Sequence, residues 1–169
     1  FDDAISVEIF DDEVRVGVHI ADVAAVIKKD SPVDVAARDR ASSLYLPRRQ
    51  IPMIPEDLSQ DLLSLKEGCD RPAISLLARF DPDGSLLRYR FTCSLIQVQR
   101  QLTYSDVNEN LLKESPFRKL HRLAEMLQRS RMNRGAMNLS LPELEMDIDE
   151  AGLLNLELVP QDSPSRTMV

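Results

Sequence analysis

Three acidic turns, each flanked by alternating or continuous apolar segments, constrain this chain more than any other feature. Asp11-Asp12-Glu13 separates residues 4–10 from 14–20, and Asp81-Pro82-Asp83-Gly84 separates 72–80 from 85–98. Asp149-Glu150-Ala151-Gly152 separates 143–148 from 153–159. A period of two puts alternate side chains on opposite faces, and Asp, Pro and Gly supply the dihedrals of tight turns, so each unit predicts an antiparallel hairpin. In the first hairpin Val14, Val16, Val18 and Ile20 share the expected apolar face.

Helical signals lie between the hairpins. Ser31-Pro32 places a cap before a proline at the first helical position and predicts a helix to about Ser42. Ser115-Pro116 starts a second helix with the apolar stripe Phe117, Leu120, Leu123, Ala124 and Leu127, which Gly135 ends. Ser163-Pro164 caps a third. Residues 45–56 hold three prolines and predict an extended loop, and residues 57–65 a short helix. The fold class expected is α/β, close to α+β: mixed, largely antiparallel sheets with interspersed helices in one domain.

A chain of 169 residues with 43% hydrophobic content can bury a core. No apolar run approaches the roughly 18–20 residues that span a membrane. Cys69 and Cys93 are too few for a disulfide framework and read as reduced thiols. The net charge of −7 argues against a dedicated nucleic-acid-binding domain. The charges are segregated, however. Residues 1–13 carry six acids and no base, residues 117–134 six Lys or Arg and one acid, and residues 143–162 seven acids and no base. Such blocks are either solvated surface or an acidic cation site near a basic phosphate track.

Several residues have two readings on type and spacing alone. Asp2-Asp3 reads as an exposed turn or as oxygen donors for a hard cation such as Mg2+. Adjacent strand residues point to opposite faces, so the pair serves one site only if each member serves a different part of it, or if the backbone is irregular. His19 reads as a hydrogen-bonded structural residue before it reads as a ligand, and Asp22 as the cap of a following turn. Tyr45, followed by Arg48 and Arg49, reads equally as a core tyrosine or as a base-stacking platform beside phosphate-binding arginines. Arg118, Lys119, Arg122, Arg129, Arg131 and Arg134 read as a phosphate track or as the solvated face of an amphipathic helix.

The order of the segments goes further. Phe1-Asp-Asp-Ala-Ile5, Val16-Gly-Val-His-Ile-Ala-Asp-Val23, Tyr45-Leu-Pro47, Ile51-Pro-Met-Ile-Pro55 and Leu58-Ser59 come first. Leu63-Ser-Leu65, Gln101-Leu-Thr-Tyr-Ser-Asp-Val107, Arg134-Gly135 and Asp162-Ser-Pro-Ser-Arg-Thr-Met-Val169 follow. This ordered set resembles the RNB domain of the ribonuclease II and R exoribonucleases over essentially the whole chain. The resemblance implies the N-terminal part of one RNB catalytic domain, residues 1–169, continued on both sides and built around an RNA channel. The family signature carries four aspartates, and Phe1, Asp2 and Asp3 match its last three positions. Asp2 and Asp3 are then the catalytic and Mg2+-binding carboxylates, with Mn2+ as the alternative ion. Asp3 is favoured as the direct ligand, and Asp2 as either a ligand or a group acting on the attacking water or the 3′ end. Tyr45 matches the aromatic that stacks on the terminal nucleotides, and Arg40 is either structural or RNA-contacting.

The implied reaction is metal-dependent 3′-to-5′ hydrolysis of single-stranded RNA to 5′-mononucleotides, in a cytoplasmic protein with flanking OB-fold cold-shock and S1 domains. The alternatives are a non-catalytic RNB-like RNA-binding scaffold and, more remotely, an unrelated metal phosphohydrolase. This segment alone is expected to be inactive and to expose apolar surface.

Overall fold

The computed structural model describes residues 2–46, 49–110, 115–137, 143–148, 153–159 and 164–168. In chain order, β1 (Asp3–Ile9) and β2 (Val14–Ala21) precede α1 (Val23–Val26) and α2 (Pro32–Arg40). Short strands β3 (Leu44–Leu46) and β4 (Arg49–Ile51) lead to a π-helical turn at Asp57–Leu62. The long strands β5 (Asp70–Phe80) and β6 (Leu86–Gln97) follow, then α3 (Tyr104–Asn110), α4 (Ser115–Asn133), β7 (Glu143–Ile148), β8 (Leu154–Val159) and α5 (Pro164–Met168). The main sheet has the order β1-β2-β5-β6, and β3-β4 and β7-β8 form two-stranded ribbons.

The chain divides into two compact units. The first gathers residues 1–6, 15–79 and 88–101, and the second residues 7–14, 80–87 and 102–169. Ala37, Leu63, Leu65, Ala73 and Ala78 are the buried apolar residues of the first, and Phe80, Leu120 and Leu123 those of the second.

All three expected strand pairs form, and their turns show why. Asp81 accepts from the Asp83 and Ser85 amides (3.0 and 2.7 Å) while Gly84 takes φ +81°, a side-chain-stabilised turn that needs both residues. The third ribbon pairs Glu143 with Val159 through to Ile148 with Leu154. Its turn, 149–152, lies outside the described residues, as does Ser163. The helix at Ser31 forms as expected, with the Ser31 hydroxyl accepting from the Asp34 amide at 3.4 Å. It stops at Arg40 because Ala41 takes a left-handed φ of 63°. In α4 the expected stripe turns inward at Leu120 and Leu123, while all six cations are exposed. Gly135 ends the helix at φ +93°, with its amide on the Met132 carbonyl at 3.0 Å.

Three local expectations need correction. Residues 45–56 are not a loop throughout, because Leu44, Tyr45 and Leu46 pair with Ile51, Gln50 and Arg49. The segment expected to be a short helix over 57–65 is a wider π turn at 57–62, in which the Leu63 amide reaches the Leu58 carbonyl at 2.8 Å. Helix α3 was not expected, yet its start is legible. Thr103 Oγ1 accepts from the Asp106 amide at 3.1 Å, and Asp106 Oδ2 accepts from the Thr103 amide at 2.9 Å, a reciprocal cap.

Strand β2 also departs from its pattern. Val14, Val16 and Val18 are half-buried and Ile20 is exposed, whereas Gly17 and His19, on the opposite face, are buried. The sealed face is polar because its hydrogen bonds are complete. His19 Nε2 lies 2.9 Å from Ser6 Oγ on β1, and Nδ1 lies 2.7 Å from Ser75 Oγ on β5. Ser75 Oγ lies 2.6 Å from Ser94 Oγ on β6, and Ser94 donates to the Ala73 carbonyl at 3.1 Å. A carbonyl only accepts, and each hydroxyl carries one proton. Ser75 therefore donates to Ser94 and His19 donates from Nδ1 to Ser75; in the neutral ring Nε2 is then the nitrogen that accepts from Ser6. The relay crosses all four strands and places a proton on Nδ1.

Burial accordingly pulls the His19 pKa below its ordinary value. An unfolded histidine titrates at about pH 6.5, so below that pH the unfolded chain binds more protons than the folded one. Stability from this site is complete above about pH 6.5 and declines as pH falls from there toward the lower folded value. His19→Gln should flatten the dependence of the unfolding midpoint on pH between about 5 and 7, measured by denaturant titration. A wild-type midpoint that rises on acidification through this window would refute the assignment.

The expected exposed apolar surface is present on β6. Phe91 and Leu95 are each 69% exposed, and Tyr89 meets Phe91 edge-on with ring centroids 6.1 Å apart.

Candidate functional site

The site lies within the first unit and starts at the open end of the β1-β2 ladder. The Ala21 amide donates to the Asp2 carbonyl at 2.9 Å, which extends the pairing one residue beyond β1 and fixes the Asp2 backbone. The next residue, Asp22, donates its amide to the Pro72 carbonyl at 3.0 Å, and its carboxylate caps α1 through the Ala25 amide at 3.1 Å. Asp22 is thus the helix cap that its position suggests.

Tyr45 is placed by the β3-β4 ribbon, whose approach is clamped from two sides. Arg40 Nη1 donates to the Pro52 and Met53 carbonyls at 3.2 and 3.4 Å. Ser43 Oγ accepts from the Met53 amide at 2.9 Å. The tyrosine ring is left 75% exposed, so the core-tyrosine reading fails. Gln50, the register partner of Tyr45, accepts from Gln60 on the π turn at 3.4 Å.

These elements enclose an open cavity of about 860 Å3. Asp2 and Tyr45 both line it, so two of the four residues that the resemblance points to, Asp2, Asp3, Arg40 and Tyr45, share one space. Among its described lining residues, Asp3 and Arg40 do not appear. Asp3 is the first residue of β1 and is exposed. The split between Asp2 and Asp3 is the one expected for neighbours at the start of a strand, whose side chains diverge. Arg40 spends at least one guanidinium nitrogen on holding the loop. Sequence reading missed Gln50, Gln60, Lys66 and Glu67, which also line the cavity. The register opposite Tyr45 would have found Gln50, but nothing in the local sequence marks the other three.

The donor chemistry fits a hard divalent ion. Among the described residues no group of three His, Cys, Asp or Glu is gathered for a metal. Mg2+ does not require one, because it is commonly held by one or two carboxylates together with water and substrate phosphates. A soft or thiolate-seeking metal is not matched by Asp2 and Asp3, and Cys69 stands alone in this cavity.

Comparison with known proteins places these features in context. The sequence profile of the RNB domain matches residues 1–169. Ribonuclease R of Thermotoga maritima is 39% identical over 95% of this chain and 24% of its own length. Human exosome complex exonuclease RRP44 is 35% identical over 88% of this chain and 16% of its own. The structure of Mycoplasma genitalium RNase R in complex with ribose-methylated single-stranded RNA superposes with a TM-score of 0.89 at 28% identity, covering 99% of this chain and 28% of that one. The chain thus spans between 16% and 28% of the length of these relatives.

Proposed function

This chain belongs to the RNB domain family, and on that premise we propose that it is part of a 3′-to-5′ exoribonuclease that hydrolyses single-stranded RNA to 5′-mononucleotides. The observation that carries this reading is the shared cavity of Asp2 and Tyr45. A carboxylate and an exposed aromatic facing one open space are the parts needed to hold a nucleotide beside a catalytic ion. Asp3 is the favoured direct ligand of Mg2+, or of Mn2+ in its place, and Asp2, which lines the cavity, is either a second ligand or the group that acts on the attacking water or the 3′ end. When bound, that ion polarises the phosphodiester and makes water a nucleophile near neutral pH. Tyr45 stacks on a base and sets where the strand stops, while Arg40 keeps the Tyr45 loop in place. Flanking OB-fold cold-shock and S1 domains and a cytoplasmic setting belong to the same reading, as does a lack of turnover by residues 1–169 alone.

The test uses the full-length protein and a 5′-labelled single-stranded oligoribonucleotide in Mg2+. Progressive shortening from the 3′ end is expected. Binding without shortening favours the non-catalytic RNB scaffold, and hydrolysis of small phosphate esters but not of RNA favours an unrelated phosphohydrolase. Stacking one base on an aromatic contributes roughly 1–3 kcal/mol. Tyr45→Ala should therefore raise KM by roughly 5- to 150-fold and shift the length of the final product. An unchanged KM and product length would remove Tyr45 from the site.

A further inference from the structure

The cavity has an electrostatic problem if RNA enters it. Of its described lining residues Asp2 and Glu67 are acidic, and Lys66 is the sole cation. A phosphodiester chain brings one negative charge per nucleotide, so the wall must supply a positive partner besides any ion held at the aspartates.

We propose that Lys66 is a phosphate-binding residue, which exchanges its Asp61 partner for a backbone phosphate when an RNA strand occupies the cavity. The inference rests on the exoribonuclease reading for the identity of the strand. Lys66 Nζ is held 2.7 Å from Asp61 Oδ1, with the lysine side chain 40% and the aspartate 68% exposed. Exposed pairs of this kind are held weakly, so partner exchange costs little. The backbone at both ends of the pair is anchored by contacts other than the Lys66–Asp61 bridge. Arg71 donates to the Asp61 carbonyl at 3.2 Å and to the Ser64 carbonyl at 3.1 Å, which fixes the π turn. The Lys66 amide is fixed on the Ser64 carbonyl at 2.8 Å. Breaking the Lys66–Asp61 contact therefore leaves the backbone in place while the long lysine stem swings over the cavity wall. Asp61 holds the ammonium and competes with phosphate for it.

This competition predicts effects of opposite sign. Binding of a fluorescent single-stranded oligoribonucleotide to the full-length protein is measured by anisotropy over a salt series in EDTA, where no turnover occurs. Lys66→Gln should weaken binding by roughly 3- to 10-fold at low salt and make the log–log salt slope shallower by about 0.7, one phosphate contact on a single strand. Lys66→Arg should restore both. Asp61→Asn should tighten binding by roughly 2- to 5-fold by releasing the lysine. A Lys66→Gln variant with wild-type affinity and slope overturns the proposal. So does an Asp61→Asn variant that binds as weakly as Lys66→Gln, since a merely structural pair would lose on both sides alike. Turnover is read separately in Mg2+. Wild-type protein that binds with the predicted variant pattern but never shortens RNA sinks the exoribonuclease reading and leaves Lys66 standing. Shortening with an unchanged Lys66→Gln does the reverse, and wild-type protein that binds no RNA overturns both.

Discussion

Asp3→Asn in the full-length protein is expected to lower the rate of RNA shortening by about a thousandfold or more while RNA binding in EDTA stays within a few fold. The change keeps the shape of the side chain and removes the charge that a hard cation needs. Losing several kcal/mol of charge stabilisation by the ion corresponds to that factor, at about 1.4 kcal/mol per tenfold. The fold should be indifferent. Asp3 is exposed, and exposed substitutions away from caps and cores usually stay within about 0.5 kcal/mol. A loss of activity without a loss of thermal stability therefore isolates the chemistry. Turnover at the wild-type rate would remove Asp3 from the metal site, and the proposed mechanism would have to be rebuilt around Asp2 alone.

The largest effect on stability is expected from Gly17→Ala. The glycine is buried on the His19 face of β2. A Cβ built there would collide with Ser6 Oγ and lie 2.6 Å from His19 Nε2 and 2.9 Å from His19 Cε1. Neither neighbour can yield freely, because each holds the other in the relay that runs to Ser75 and Ser94. Overpacking of about 1–3 kcal/mol adds to the cost of leaving a buried donor or acceptor unpaired, which is of similar size. A destabilisation of about 3 kcal/mol would lower the melting temperature by roughly 6–12 °C in a domain of this size. Ser6→Ala introduced alongside should recover part of the loss by removing one of the colliding atoms, so the two substitutions will not be additive. A Gly17→Ala protein that melts with the wild type would mean that β2 shifts to accommodate the methyl group.

Lys66 and Gly17 illustrate the two ways in which this sequence conceals its function. Gly17 lies within the motif Val16-Gly-Val-His-Ile-Ala-Asp-Val23, but alternation of the valines points to the other face as the sealed one. Only the pairing of four strands shows that the hydroxyls of Ser6 and Ser75 converge on one imidazole, with Ser94 behind Ser75, although these residues lie far apart in sequence. Lys66 is an ordinary lysine until the π turn and the β3-β4 ribbon bring it to the cavity that Asp2 and Tyr45 also line. The resemblance leaves Arg40 either structural or RNA-contacting. The carbonyls of Pro52 and Met53 account for at least its structural part.

The sequence by itself determined the hairpins and most of the helices, because turns, caps and periodicities are properties of neighbouring residues. Asp81 and Gly84 shape their turn, Ser31 and Pro32 start α2, and Gly135 stops α4, each within a few residues of the effect. The order of its motifs also determined the family. The tertiary structure alone decided which face of β2 is sealed, that Asp2 and Tyr45 line one cavity while Asp3 does not line it, and that Lys66 stands with Asp2 and Glu67 among its described lining residues. These are outcomes of long-range packing and of hydrogen bonds that must be completed between distant segments. No local pattern carries that information, because the partner that satisfies a buried polar group is chosen by the fold as a whole.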